Sequence, residues 1–317
     1  MQFQIKRNIL LKSLTLAHNL IERKTTLPIL SNVLLEVKNG KLNIIATDLD
    51  IVFYDEISDL KIDKDGSTTT SATVLYDLLR KLPSDLDITF NLQGENKLNI
   101  SAQNAKFNLL CLPVDNFPSF TNNFKNDGIN LDRKKLLSFL NKTKISMSND
   151  DTRHYLNGIF LHVTEGNGRK YFTGVATDSH RLSSSSLEIK GVENFNSLIL
   201  PRKTVYQLCT ILSETEDNLL IQTGENKIKF IVGKIKLVSK VIDGKFPDYK
   251  KVVPINNDKI LNVSSKDFVN SIERVTSVSA DRKEGVKLDI YKDNIQLSVN
   301  SANSGEGNEK IPANFSS

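Results

Sequence analysis

The sequence predicts an α+β protein of repeated modules, each with two helices packed on antiparallel sheets, three in a row with the last incomplete. Three observations predict it. Ile45-Ala46-Thr47-Asp48-Leu49-Asp50-Ile51-Val52 and Val175-Ala176-Thr177-Asp178-Ser179-His180-Arg181-Leu182 share an apolar approach and an Ala-Thr-Asp step, at positions 46 and 176, 130 apart. Gly94-Glu95-Asn96-Lys97 returns as Gly224-Glu225-Asn226-Lys227 at the same offset. Phe117-Pro118 returns as Phe246-Pro247, with the phenylalanines 129 apart. Correspondences in one order at one offset mark a duplicated unit, and the expected domains are 1–124, 125–254 and a partial 255–317.

The elements follow from periodicity. In the first module, alternation over 2–6 suits a strand, and 8–21 places Leu10, Leu14, Ala17 and Ile21 on one helical face. Strands are predicted at 33–37, 42–46 and 51–57, then a helix over 71–82 with Val74, Leu75, Leu78 and Leu82 inward, stopped by Pro83. Strands at 88–92, 97–102 and 106–112 complete it. The second module repeats this: a strand at 129–131, a helix capped by Asp132 and running to about 144, strands at 158–163, 170–176 and 182–189, and a helix over 202–212 opened by Pro201. A third begins with a strand at 259–263 and a helix capped by Ser264 or Ser265 that buries Phe268, Val269, Ile272 and Val275. Strands at 285–291 and 295–300 follow. The second helix and closing strands of the earlier modules are not expected before Ser317.

Composition sets the class. At 317 residues, with 39% hydrophobic and 25% charged, the chain is long for one core and ordinary for a globular protein. No apolar run approaches the roughly 20 residues that cross a bilayer, and the first residues lack a secretory core, so a cytoplasmic protein is expected. Cys111 and Cys209 stand alone on apolar segments and read as buried small hydrophobes. A net charge of +5 permits contact with nucleic acid without demanding it.

Catalytic chemistry is weakly signalled. Asp178 and His180 suggest an acid/base pair, but neighbours i and i+2 at a corner usually serve the turn, and no nucleophile stands at a usable spacing. Asp48 with Asp50, and Asp85 with Asp87, lack a third ligand, so solvated turn acids are the better reading than a metal pair. No catalytic residue, metal ligand or cofactor is assigned. Basic residues recur on the helices and their flanks: Lys6, Arg7, Lys12, Arg23 and Lys24, then Arg133, Lys134, Lys135, Lys142 and Lys144, then Arg202 and Lys203. If equivalent helices face one axis, they form a modest positive lining that suits phosphates and cannot read bases.

The motifs Thr26-Leu27-Pro28-Ile29-Leu30, Ala46-Thr47-Asp48-Leu49, Tyr155-Leu156-Asn157-Gly158, Ala176-Thr177-Asp178-Ser179-His180-Arg181-Leu182, Pro201-Arg202-Lys203 and Asp243-Gly244-Lys245-Phe246-Pro247-Asp248-Tyr249 carry a family resemblance along the whole chain. They resemble the bacterial sliding clamp, the β subunit of DNA polymerase III. The resemblance implies repeated DNA-clamp modules in a ring of two head-to-tail protomers, helices lining a hole around double-stranded DNA. Such a ring gives the polymerase processivity and is not an enzyme.

By resemblance, Lys24, Arg153, His154, Tyr155, Arg202 and Lys203 are DNA-facing, whereas Thr73 and Val74 stand where the family often has basic residues. Leu156, Thr177, Ser179, His180, Arg181, Leu182, Pro247, Lys251 and Val252 match a pocket for short linear peptides of the polymerase α subunit, the clamp loader and repair polymerases. Phe107 and Leu109 are expected to meet the region of Ser277 and Val278 of a second protomer in a homodimer. The family's last segment, which forms the pocket's other wall, has no match here, so this form is expected to dimerise poorly. The alternative function is a truncated clamp fragment that forms no ring and acts only as a peptide-binding module.

Overall fold

A computed structural model describes residues 1–21, 26–120, 124, 128–190, 195–279 and 284–316. They form two compact units, Met1–Phe246 and Pro247–Ser317.

In the first unit β1 (Gln2–Lys6) runs straight into α1 (Arg7–Leu20). A meander follows, β2 (Asn32–Lys38), β3 (Lys41–Thr47) and β4 (Ile51–Ile57), then β5 (Lys61–Lys64), β6 (Gly66–Ser71) and α2 (Ala72–Lys81). The first module closes with β7 (Asp87–Gln93), β8 (Lys97–Ala102) and β9 (Ala105–Leu112). The second module repeats the plan with β10 (Ile129–Leu131), α3 (Arg133–Thr143), β11 (Gly158–Gly166), β12 (Arg169–Thr177) and β13 (Leu182–Ile189). It continues with β14 (Leu198–Pro201), α4 (Arg202–Glu214), β15 (Leu219–Thr223), β16 (Lys227–Val232) and β17 (Ile235–Lys240). The second unit holds β18 (Ile260–Val263), α5 (Ser265–Thr276), β19 (Lys287–Ile290), β20 (Asn294–Ser301) and β21 (Gly305–Ser316).

Caps set the helix starts. Asp132 accepts the Lys135 N–H at 2.8 Å, Ser71 that of Val74 at 3.4 Å, and Ser264, rather than Ser265, that of Asp267 at 3.4 Å. Two inward assignments are corrected by helical phase. In α2 the buried stripe is Ala72, Leu75 and Leu79, which turns Val74 outward at 49% exposure. In α5 Ser271 and Val275 are buried with Phe268 and Ile272 packed beside them, while Val269 is 51% exposed.

Seven strands lie outside the predicted ones, β5, β6, β14, β15, β16, β17 and β21, and of these β5, β6 and β21 carry little apolar pattern. In β6 the buried residues are Thr68, Thr69 and Thr70, whose β-branched side chains suit a strand without signalling one as hydrophobic. In β21 only Ile311 is buried, and the strand exists because it pairs with β20 from Ser301↔Gly305 to Asn294↔Pro312.

The first two modules share one sheet of thirteen strands, in the order β10-β15-β16-β17-β4-β3-β2-β6-β9-β8-β7-β1-β5. The joint is β17 antiparallel to β4, with Leu237 opposite Phe53 and Val238 opposite Val52. A smaller sheet, β13-β12-β11-β14, completes the second module. The helices lie side by side in the order α2, α1, α4, α3. Buried Gln207 on α4 donates to the Leu16 carbonyl of α1 at 2.7 Å. One continuous core of buried residues runs through both modules.

The second unit is a sheet ordered β18-β21-β20-β19 with α5 packed on β20 and β21. Val275, Ile295, Leu297, Val299 and Ile311 form its core. Arg274 clasps Glu309 on β21 through Nε at 3.0 Å and Nη2 at 2.5 Å. No helix among the described residues is long and apolar enough to cross a membrane.

Candidate functional site

The Ala-Thr-Asp step builds the same corner twice. At the tip between β12 and β13, Thr177 donates its hydroxyl to the Arg181 carbonyl at 2.8 Å and accepts the Ser179 N–H at 3.1 Å. Asp178 accepts the His180 and Arg181 N–H groups, both at 3.0 Å. Between β3 and β4, Thr47 and Asp48 do the same to Ile51, Leu49 and Asp50 at 2.7–3.0 Å. Each turn needs one residue with a left-handed backbone, Leu49 at φ 79° and Ser179 at φ 77°. A short threonine or aspartate side chain reaches backbone N–H groups two and three residues on, so this chemistry is local.

The second copy differs in its surroundings. Arg181 turns back so that its Nε meets Asp178 at 3.0 Å. Burial would raise the Asp178 carboxyl, but the Arg181 and His180 N–H groups and the Arg181 guanidinium outweigh it and hold the group below the usual aspartate value. A carboxylate so committed is a turn element and a weak base. The corner leaves Ser179, His180 and Arg181 exposed and Thr177 and Leu182 half-buried.

Beneath this tip lies a short 3-10 segment, Asp151–Leu156, kinked at Arg153. Asp150 caps it, accepting from the Thr152 N–H and hydroxyl and from Arg153 Nε at 3.0 Å. The Thr152 hydroxyl leads the set that holds the Asp150 carboxyl low. Arg153 then donates through Nη1 to the Ser179 hydroxyl at 2.7 Å, joining a residue assigned to DNA with one assigned to the peptide pocket. Leu156 is buried at 2% exposure. His154 bonds the Asp243 carbonyl through Nε2 at 3.2 Å and meets the Tyr155 ring edge-on. The start of α4 is tied to the same segment, for the Arg202 N–H donates to the Asn157 carbonyl at 2.9 Å and its Nη1 to the Ser148 carbonyl at 3.3 Å.

Lys203 has a different environment. Its Nζ is 2.6 Å from Asp48, so a second-module lysine is paired with the corner of the first module. Lys240 likewise pairs with Asp50 at 2.9 Å across the joint. Lys24 lies outside the described residues.

The remaining assigned residues lie on other elements of the two units. Phe107 and Leu109 are half-buried on β9, which pairs along its length with β8 but meets β6 only at Thr69↔Leu112 and Thr70↔Cys111. Leu110 beside them is 83% exposed. Pro247, Lys251 and Val252 belong to the second unit, where Lys251 pairs with Asp248 at 3.4 Å and Val252 is 70% exposed. Ser277 caps the end of α5 by donating to the Arg274 carbonyl, and Val278 packs on that unit's core. Cys111 and Cys209 are buried, which raises both thiols.

Residue-level reading missed Tyr76 and Tyr206, whose numbers also differ by 130. Tyr206 on α4 is 44% exposed, with Lys144 Nζ and Arg202 Cζ each 5.5 Å from its ring centre. Tyr76 on α2 stacks on His18 of α1 at 4.5 Å, with Arg80 at 5.7 Å. The repeat offset was the signal that could have found them.

Comparison with known proteins accounts for the whole chain. The family models for the DNA polymerase III beta subunit match in order: N-terminal domain at 1–121, central domain at 130–248 and C-terminal domain at 250–317. The beta sliding clamp of Caulobacter vibrioides is 34% identical over 317 residues, covering 99% of this chain and 85% of the relative. That of Escherichia coli K12 is 32% identical over 316 residues, covering 100% and 85%. Among solved structures, a sliding clamp from Bartonella birtlesii bound to griselimycin superposes with TM-score 0.94 at 36% identity, covering 100% of this chain and 85% of that one. With a fold, a repeated corner and three successive domain matches in agreement, this chain belongs to the DNA polymerase III beta subunit family, the beta sliding clamps.

Proposed function

We propose that the chain acts as a protomer of a head-to-tail ring that encircles double-stranded DNA, tethers the replicative polymerase and performs no chemistry of its own. One observation carries the reading: β17 of the second module pairs with β4 of the first, so modules extend one sheet while their helices continue one row. A joint that uses different surfaces on its two partners propagates head to tail, and closes when the rotation per module allows it. The strands that correspond to the two sides of this joint are β9, 130 residues before β17, and β21, which follows β20 as β4 follows β3. The incompletely paired flank of β9 with Phe107 and Leu109, and the end of α5 with Ser277 and Val278, are then the surfaces between protomers.

The positive charge of the helix row supplies sequence-independent attraction to phosphates, weak enough for sliding. Lys24, Arg153, His154, Tyr155, Arg202 and Lys203 are assigned to this surface by resemblance, and the tie of Arg202 at the start of α4 to the Asn157 carbonyl supports the reading. The corner Thr177 to Leu182, with Leu156 from the same unit, supports a docking site for short peptides of the polymerase α subunit, the clamp loader and repair polymerases. The relative bound to griselimycin supports a ligand site in this family. A cytoplasmic location fits such a role.

Loading onto nicked circular plasmid tests the ring. A chain that stays with the circle through gel filtration and is lost when the circle is cut forms the ring and overturns the expectation of poor dimerisation; equal behaviour on circular and linear DNA overturns the ring and leaves the peptide-binding fragment.

A further inference from the structure

Resting on the DNA-encircling reading, we propose that Tyr206, with Tyr76 as its weaker counterpart, is a tracking platform for the phosphodiester backbone of duplex DNA. Each ring holds a basic group from the first helix of its module or the cap at its end, and an arginine one turn away on its own helix. Around Tyr206 these are Lys144 and Arg202, and around Tyr76 they are His18 and Arg80.

Helix packing alone does not account for the Tyr206 cluster. Two cations share one half-exposed ring, and neither has a carboxylate within ion-pair distance among the described residues, whereas neighbouring Lys203 is neutralised by Asp48. Like charges gathered without a counter-ion repel one another, and a passing anion relieves that cost. The ring offers its negative face to both cations, which orients flexible side chains without consuming their charge. In the first module Arg80 lies 3.7 Å from Asp77, so that platform carries less free charge. The recurrence of the tyrosine at the module offset, on helices of one continuous row, fits a ligand that runs past both modules. Tyr206 is therefore a positioning residue that acts through Lys144 and Arg202.

The test is fluorescence anisotropy of a short labelled duplex with the full chain across a salt series. Tyr206→Leu is expected to weaken binding about two- to fivefold, the range of one exposed cation–π contact, and to flatten the salt dependence by up to about one released counter-ion. Tyr76→Leu has a smaller effect, and Tyr206→Phe, which keeps the ring, has none. In an Arg202→Gln background the Tyr206→Leu effect shrinks, as it must if the ring works through that guanidinium. Unchanged affinity and slope in Tyr206→Leu, whatever happens to its melting temperature, overturns the platform alone. A larger loss on single-stranded than on duplex DNA also overturns it, since the ring would then stack bases. Absence of salt-dependent duplex binding in the parent chain overturns the DNA-encircling reading as well.

Discussion

The twin corners permit an internal comparison that few proteins offer. Asp48→Ala and Asp178→Ala each remove a carboxylate that accepts two backbone N–H groups, at 2.7 and 3.0 Å in the first corner and 3.0 Å twice in the second. At about 1 kcal/mol net per bond, the shared loss is about 2 kcal/mol. The second corner adds only an exposed ion pair with Arg181, worth little. The first adds the Lys203 pair, whose carboxylate is 11% exposed and whose lysine is 39% exposed, and shielding from water at that level makes it worth about 1–2 kcal/mol. Asp48→Ala should therefore cost about 3–4 kcal/mol and Asp178→Ala about 2. Urea denaturation of the full chain, followed by circular dichroism at the transition of the first unit, reads both. A double-mutant cycle with Lys203→Met isolates the extra contribution, with an expected coupling of about 1 kcal/mol or more. Equal costs at the two corners, together with no coupling to Lys203, would refute the assignment of Lys203 to the inter-module joint.

Leu49→Gly is expected to stabilise the protein by about 0.5–1 kcal/mol, because the left-handed backbone at φ 79° costs leucine more than glycine loses in chain entropy; a destabilised variant in the same denaturation assay would show that the side chain packs. Gly174→Ala should destabilise by about 1–3 kcal/mol, since a Cβ there would lie 2.9 Å from Phe139 Cε1 and 3.2 Å from Ile159 Cγ2 in a closed core, and an unchanged melting temperature would contradict this. Asp55 on β4 is held above the usual aspartate value by burial, against the Ser13 hydroxyl, the Glu56 N–H, Lys234 and Lys12. The folded state then binds more protons than the unfolded chain between the ordinary and the raised value, so stability falls as pH rises through that window. Asp55→Asn should remove this slope from melting temperatures recorded against pH; parallel curves for the two forms would count against it.

Much of the chemistry at the corners was legible because it is local. Thr177 and Asp178 bond backbone groups within four residues, so the motif fixes the turn wherever it occurs, and its recurrence at one offset reveals the modules. The Arg153 bond to Ser179 joins residues 26 apart, and the sequence named both without signalling that they meet. Helical phase was legible only to within a residue, which is why Val74 and Val269 turn outward.

The sequence by itself determined the α+β class, the duplication, the capped helices and the family, because periodicity, caps and turns act over a few residues and the repeat multiplies their signal. Only the tertiary structure decided that β17 joins β4, that Lys203 is spent on Asp48, and that Tyr206 gathers two cations. Those outcomes depend on surfaces brought together by the packing of modules. A lysine on a helix reads identically whether it faces water, DNA or a carboxylate 155 positions earlier in the chain.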